Sequence, residues 1–331
     1  MTRAFSLNLL SIDLILSLST YPFSAKYTVL FCGTCSTPMF FHMPGPEEWF
    51  GVFTGTLDNV AVPALFKIED QIFVGDTIDG GASVWLQGGS ESDTKCWYGR
   101  QEKSEQLNNP MSTGNQDPGS KTHLEEIPFR CRCGGVDLRL HRGEADFAAM
   151  PCDALPWFID PETYKRHASF DACDSCRLSF GIDLSNWTYS LLKHIDFASG
   201  TLNFPRTTDA LKEAVTKGDR DGRLGTLAMY ESSPDVQRYF CSRCSASVFY
   251  ACDDRRDQVD VAPGLLECPT GARAEDFLVW EYGGSPSYST DVAGGWREHR
   301  VRQIVAAAEE YRVSRGYPKS WRRIGKEARD T

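Results

Sequence analysis

Cysteines in this chain come in closely spaced pairs, and that spacing limits its fold more than any other feature. Cys32 and Cys35 lie in "VLFCGTCSTPMFF", Cys131 and Cys133 in "FRCRCGGVDL", Cys173 and Cys176 in "FDACDSCRLSFG", and Cys241 and Cys244 in "RYFCSRCSASVFY". Cys-x-Cys and Cys-x-x-Cys are usual spacings of thiolate metal ligands, because a short turn aims two sulfurs at one ion. Twelve cysteines arranged this way fit zinc in a reducing compartment better than a disulfide framework. Cys152, Cys252 and Cys268 stand singly and read as packed thiols.

The pair at Cys32 repeats the pair at Cys241. Phe31-Cys32-x-x-Cys35-Ser36 aligns with Phe240-Cys241-x-x-Cys244-Ser245, and Phe40, Gly55 and Leu57 then meet Phe249, Gly264 and Leu266 without a gap. So many matches around one motif point to an internal repeat. The repeat is incomplete. Only 31 residues precede Cys32, with no Cys-x-Cys among them, so the first pair lacks the partners that Cys131 and Cys133 offer the second. It reads as a remnant or shortened unit; ligands borrowed from elsewhere are the other reading.

Between the two units, residues 87–126 are rich in Gly, Ser, Asn, Gln and Pro and read as a polar linker. The organisation expected is a partial copy over 1–86, this linker, a complete zinc domain over 127–290, and a basic helical tail over 291–331. Local patterns are mostly strand-like. Val136, Leu138 and Leu140 alternate, and "ASVFYACDD", "QVDVAPGLL", "GASVWL" and "VFTGTLDN" are short β-type runs. Helical signal is confined to "DALKEAVTKG" and to the stripe Val301, Ile304, Val305, Ala308 and Tyr311.

Net charge is −10. Ten Lys and Arg stand against five Asp and Glu from Arg297 onward; that basic stretch reads as a solvated helix face, and the acidic remainder argues against nucleic acid as a partner. The beginning, "MTRAFSLNLLSIDLILSLSTYPFSA", has the look of a signal peptide. Asp13 interrupts its apolar run, which is too short and polar for a membrane span. Paired free thiolates also argue against secretion, so a cytoplasmic or nuclear location without a membrane is expected.

Taken in order, Cys-x-Cys-Gly, Cys-x-x-Cys-Arg and Phe-Cys-x-x-Cys resemble the glutathione-dependent formaldehyde-activating enzyme family, which includes centromere protein V. The resemblance covers about 127–270, and the N-terminal unit matches only the last part of the pattern, as a tandem-like member with an incomplete first copy would. It implies a mainly β, tent-like domain stapled by zinc, with a C-terminal helix. It also implies a structural ion held by Cys131, Cys133, Cys241 and Cys244, and a second, more open site at Asp171, Cys173 and Cys176. There the family has a third cysteine where this chain has Asp171. Carboxylate oxygen is an acceptable zinc ligand but a harder one. The activity implied is carbon–sulfur lyase chemistry on a glutathione-type thiol adduct of a small aldehyde such as formaldehyde, with Arg177 holding a substrate carboxylate. The alternative is a catalytically inactive binding module in which zinc is only structural. His167, four residues before Asp171, reads as a satisfied surface histidine.

Overall fold

The computed structural model describes residues 17–45, 48–86, 93–108, 124–200 and 203–329; the apolar segment 1–16, on which the signal-peptide question turns, lies outside them. The fold is mixed and rich in sheet. The strands are β1 (Ser19–Pro22), β2 (Thr28–Phe31), β3 (Pro38–Met43), β4 (Trp49–Val52), β5 (Asp70–Gln71), β6 (Lys95–Trp97), β7 (Gln106–Leu107), β8 (Glu126–Arg130) and β9 (Asp137–His141). They continue with β10 (Arg166–Asp171), β11 (Ser185–Leu191), β12 (Ile195–Phe197), β13 (Leu227–Ser233), β14 (Val236–Cys241), β15 (Ser247–Cys252), β16 (Gln258–Val261) and β17 (Leu278–Trp280). The helices are α1 (Ser83–Leu86), α2 (Glu144–Ala148), α3 (Asp174–Phe180), α4 (Thr208–Thr216), α5 (Trp296–Ser314) and α6 (Trp321–Glu327). Among the described residues no helix is long and apolar enough to cross a membrane.

A seven-stranded sheet runs β13-β14-β15-β16-β11-β10-β17, and a three-stranded sheet runs β12-β9-β8. Their facing apolar residues make the main core. Leu138 and Leu140 of β9, read from alternation, are buried with Val136 against Phe129, Tyr239, Phe249 and Val259. The helical stripe of α5 closes the core from another side through Val301, Ile304, Ala308 and Tyr311.

The N-terminal sheet runs β1-β2-β3-β4 and matches β13-β14-β15-β16 strand for strand. Phe31 pairs with Ser19 and Pro38, as Phe240 pairs with Ala228 and Ser247. Both hairpins carry an irregularity at the same place, before Phe31 and before Phe240. The 3-10 turns Thr54–Thr56 and Pro263–Leu265 follow at the same distance. The neighbours differ: β16 continues into β11, whereas β4 pairs with β3 alone among the described residues.

Three segments depart from the local reading. "GASVWL" forms α1, not a strand: Asp79 accepts from the Gly81 amide at the helix start, and Trp85 packs on Phe170 and Trp280 at ring distances of 5.4 and 5.3 Å. In "VFTGTLDN", Thr54–Thr56 is a 3-10 turn. The stretch read as linker holds β6 and β7, which make a small sheet with β5. Cys96 and Trp97 are buried there, and Trp97 donates to Asp70 at 2.7 Å; one apolar pair anchors a segment that its polar composition masks.

The N-terminal sheet is joined to the rest by buried polar contacts. Gly55 donates its amide to Gly181 at 3.1 Å, and a Cβ there would stand 2.3 Å from the Gly181 carbonyl carbon. Arg297 is fully buried, donates to the Thr54 and Leu57 carbonyls at 2.7 and 2.6 Å, and pairs with Asp183 at 3.2 Å. The basic stretch is therefore only partly a solvated face: Arg297 lies inside, and Arg312, Arg323 and Lys326 pair with Glu309, Glu327 and Glu281.

Candidate metal centres

Cys241 ends β14, and the chain turns back through Cys244 into β15. The Cys241 amide donates to Ala246 at 2.9 Å and the Ser245 amide to Cys241 at 3.0 Å, with Ser245 in the left-handed region at φ 62°. This tight turn aims both sulfurs one way. The loop from β8 to β9 supplies the other two. Gly134 takes φ 68°, and Gly135 makes room for Thr226, whose Oγ1 would lie 2.2 Å from a Cβ. Thr226 Oγ1 in turn lies 2.9 Å from Cys241 Sγ.

Cys131, Cys133, Cys241 and Cys244 thus converge, with their sulfurs within 4.8 Å of one another, and can hold a metal ion. Cys131 to Cys133 is 3.5 Å and Cys133 to Cys241 is 3.4 Å, close to the edge of about 3.8 Å in a tetrahedron with metal–sulfur bonds of about 2.3 Å. Cys131, Cys241 and Cys244 are buried. Four thiolates at this spacing repel, so the thiols share protons. Cys241, accepting from Cys131 and Cys244, is held far below the usual thiol range, and donation to Cys241 pushes Cys131 up to about 11. Only a cation lets all four ionise together.

The second cluster, Asp171, Cys173 and Cys176, also lies within 4.8 Å. It forms where β10 ends and α3 begins. The Cys173 amide donates to Asp171 Oδ1 at 2.9 Å, which fixes the carboxylate beside the turn. Burial pushes Asp171 up to about 7, against the opposing pull of that amide. Donation from Cys176, with the amides of Cys176 and Ser175 and the charge of Arg238, outweighs burial and lowers Cys173 to about 6. One thiolate and one partly protonated carboxyl therefore coexist at neutral pH. Three donors leave a tetrahedral ion one open position.

The wall of this second cluster comes from residues with no telling spacing in the sequence. Arg238, on β14, donates Nη1 to Cys176 Sγ at 3.6 Å and to Ser179 Oγ at 3.3 Å. Asp260, buried on β16 and paired with Arg255 at 2.7 Å, is pushed up to about 6 by burial, and its charge is felt at Asp171. Tyr288, largely exposed in a left-handed turn, borders the cluster from the segment whose Ser287 bonds both Phe170 and Ala172. Arg238 stands three residues before Cys241, and only the strand pairing shows that it reaches the other cluster.

Other expected site residues fall elsewhere. The Arg177 guanidinium turns away to the carbonyls of Gly55 and Leu57 and to Asp174 at 3.0 Å. The role of holding a substrate carboxylate is corrected to one of joining the N-terminal sheet to α3. His167 is buried rather than on the surface and pairs with Glu281 at 3.1 Å. Cys268 is packed as expected, Cys252 accepts from Arg255 at 2.9 Å, and Cys152 is exposed. Cys32 and Cys35 find no third ligand among the described residues.

No family model and no curated protein matches the chain. A crystal structure of a Rhodobacter sphaeroides protein, a structural-genomics target, is similar at 15% identity with a TM-score of 0.26, the match covering 46% of this chain and 99% of that one. A likeness at that score says nothing about fold or function.

Proposed function

We propose that the protein is a zinc-dependent carbon–sulfur lyase acting on a thiol adduct of a small aldehyde, of the glutathione and formaldehyde type, built as a tent-like zinc domain preceded by a partial copy of itself. The observation that carries this reading is the convergence of Asp171, Cys173 and Cys176 into a three-donor cluster separate from the four-thiol one. Zinc suits both donor sets, since it takes thiolate and carboxylate in tetrahedral sites and keeps a position open where three ligands are protein. The four-cysteine ion is structural. Held by Asp171, Cys173 and Cys176, an ion at the second cluster would supply a seat for a leaving thiolate and would lower its basicity.

Cleavage of the adduct R–S–CH2OH gives thiolate and aldehyde: the carbon–sulfur bond breaks with its electron pair going to sulfur, the C=O bond forms from the electrons of the breaking O–H bond, and the hydroxyl proton passes to water. The chain's own residues set the conditions. Arg238 places positive charge beside Cys176 and stabilises added anionic sulfur. Asp171, pushed up to about 7 by burial, is only partly ionised at neutral pH and so limits the negative charge gathered beside the Cys173 thiolate before an ion binds. Reduced thiols at both centres suit a cytoplasmic setting.

The second reading, a zinc-stabilised binding module, is favoured by one observation: Arg177, the residue assigned to substrate, is engaged in joining the N-terminal sheet to α3. Zinc content and turnover of the full chain decide between the two. The lyase reading expects one zinc at each cluster, loss of one in Asp171→Ala with the fold retained, and adduct cleavage, followed by NMR, that vanishes with it. Zinc at the four cysteines alone with no rate above buffer would sink the lyase and leave the module.

A further inference from the structure

The turn at Cys32 reproduces the two backbone hydrogen bonds and the left-handed serine of the turn at Cys241. Its Cys32 amide donates to Thr37 at 3.0 Å, its Ser36 amide donates to Cys32 at 2.9 Å, and Ser36 takes φ 65° beside 62° for Ser245. The turn is also braced: Ser36 Oγ donates to the carbonyl of Ser245 at 2.9 Å, so the two turns lie against each other. Two thiols are therefore presented in the manner of a metal knuckle on a supported frame.

What differs is the remainder of the ligand set. At Cys241 it comes from the Cys131 loop; at Cys32 no histidine, cysteine or carboxylate of the described residues closes on the pair. Both thiols are half-buried, and the tip between them, Gly33 and Thr34, is exposed. The exposed tip leaves the pair approachable by ligands from outside the chain. A tetrahedral ion with two thiolates needs two more donors, and soft ions favour thiolate.

We propose that Cys32 and Cys35 are half of a four-thiolate zinc site that a second copy of this chain completes with the same pair. A two-fold axis through the ion turns one pair into the other, which makes the contact isologous and closed. Each thiol releases its proton on binding, and the charge set equals that of the Cys131–Cys244 cluster. The braced turn lowers the ordering cost of the contact. Nothing in this depends on the lyase reading.

The test uses the full chain, loaded with zinc and freed of excess, with zinc content read beside sedimentation velocity. The wild type is expected to be a dimer carrying half a zinc per chain more than the double variant Cys32→Ser/Cys35→Ser. That variant is expected to be a monomer with its other zinc and its circular dichroism unchanged. A monomeric wild type, a dimer that survives the double substitution, equal zinc contents, a whole extra zinc on a monomer, or a native Cys32–Cys35 disulfide would each overturn it.

Discussion

The hairpins around Cys32 and Cys241 are alike in turn, irregularity and left-handed serine, yet only one lies in a four-thiol cluster. The difference lies across from them. Cys241 faces a loop 108 residues earlier in the chain, and among the described residues no such loop brings ligands to Cys32. A knuckle is thus a local product, made by a few residues and their turn hydrogen bonds, whereas a metal centre is a product of topology.

That contrast can be broken most severely at the sulfurs. Cys241→Ser should remove a structural ion worth on the order of 10 kcal/mol of folding free energy. Thermal or urea unfolding is expected to find the sheet around β14 unfolded at room temperature. Retention of a native melting transition would show that the cluster does not carry the fold.

Acid should separate the two regions next. His194, against Asp146 at 2.9 Å, is held down to about 4 by burial and by the Arg166 charge, below the ordinary value of about 6.5. Between those values the unfolded chain binds the extra proton, so this histidine's contribution is complete above about pH 6.5 and is lost as pH falls through about 4. In the N-terminal sheet, His42 stacks on Phe50 near the surface. Urea midpoints between pH 7 and 5 are expected to fall less steeply in His194→Gln than in the wild type. Equal slopes in wild type and His194→Gln would remove His194 from the account.

A gentler contrast sets two matching glycines against each other. Gly55→Ala drives a methyl into the Gly181 backbone, while Gly264 has open space around it. Overpacking of this kind costs about 1–3 kcal/mol, and an unobstructed surface change stays within about 0.5 kcal/mol. Denaturant titration giving the two variants equal stability would mean that the N-terminal sheet yields without cost. The smallest effect is expected from Cys32→Ser, whose melting temperature under metal-free conditions should lie within a degree or so of wild type, roughly the reach of a surface substitution.

Much of this arrangement was legible in the chain. The cysteine pairs, β9, the hairpins and α5 follow from spacing and alternation, because ligand pairs and apolar faces repeat over a few residues; the grouping of the pairs into two clusters, with Asp171 in the second, comes from the family resemblance. Arg238, Asp260 and Tyr288 were not legible: they meet the Asp171 cluster from separate elements, and no local pattern records strand order. Arg177 shows the converse. Its place beside a ligand pair suggested chemistry, yet the residue that decides its role, Gly55, lies 122 positions away. "GASVWL" has strand composition but follows a Gly80-Gly81 turn capped by Asp79, and the cap prevails over propensity.

Arg297 carries a consequence for how the molecule comes apart. A guanidinium with no exposed surface draws two of its acceptors, the Thr54 and Leu57 carbonyls, from the opposite end of the chain. If the N-terminal sheet detached alone, that cation would be stranded in a dry interior or forced to drag α5 outward, and either event costs several kcal/mol. Partial unfolding is therefore suppressed. Heat should melt both sheets in one step, with calorimetric and van't Hoff enthalpies in agreement.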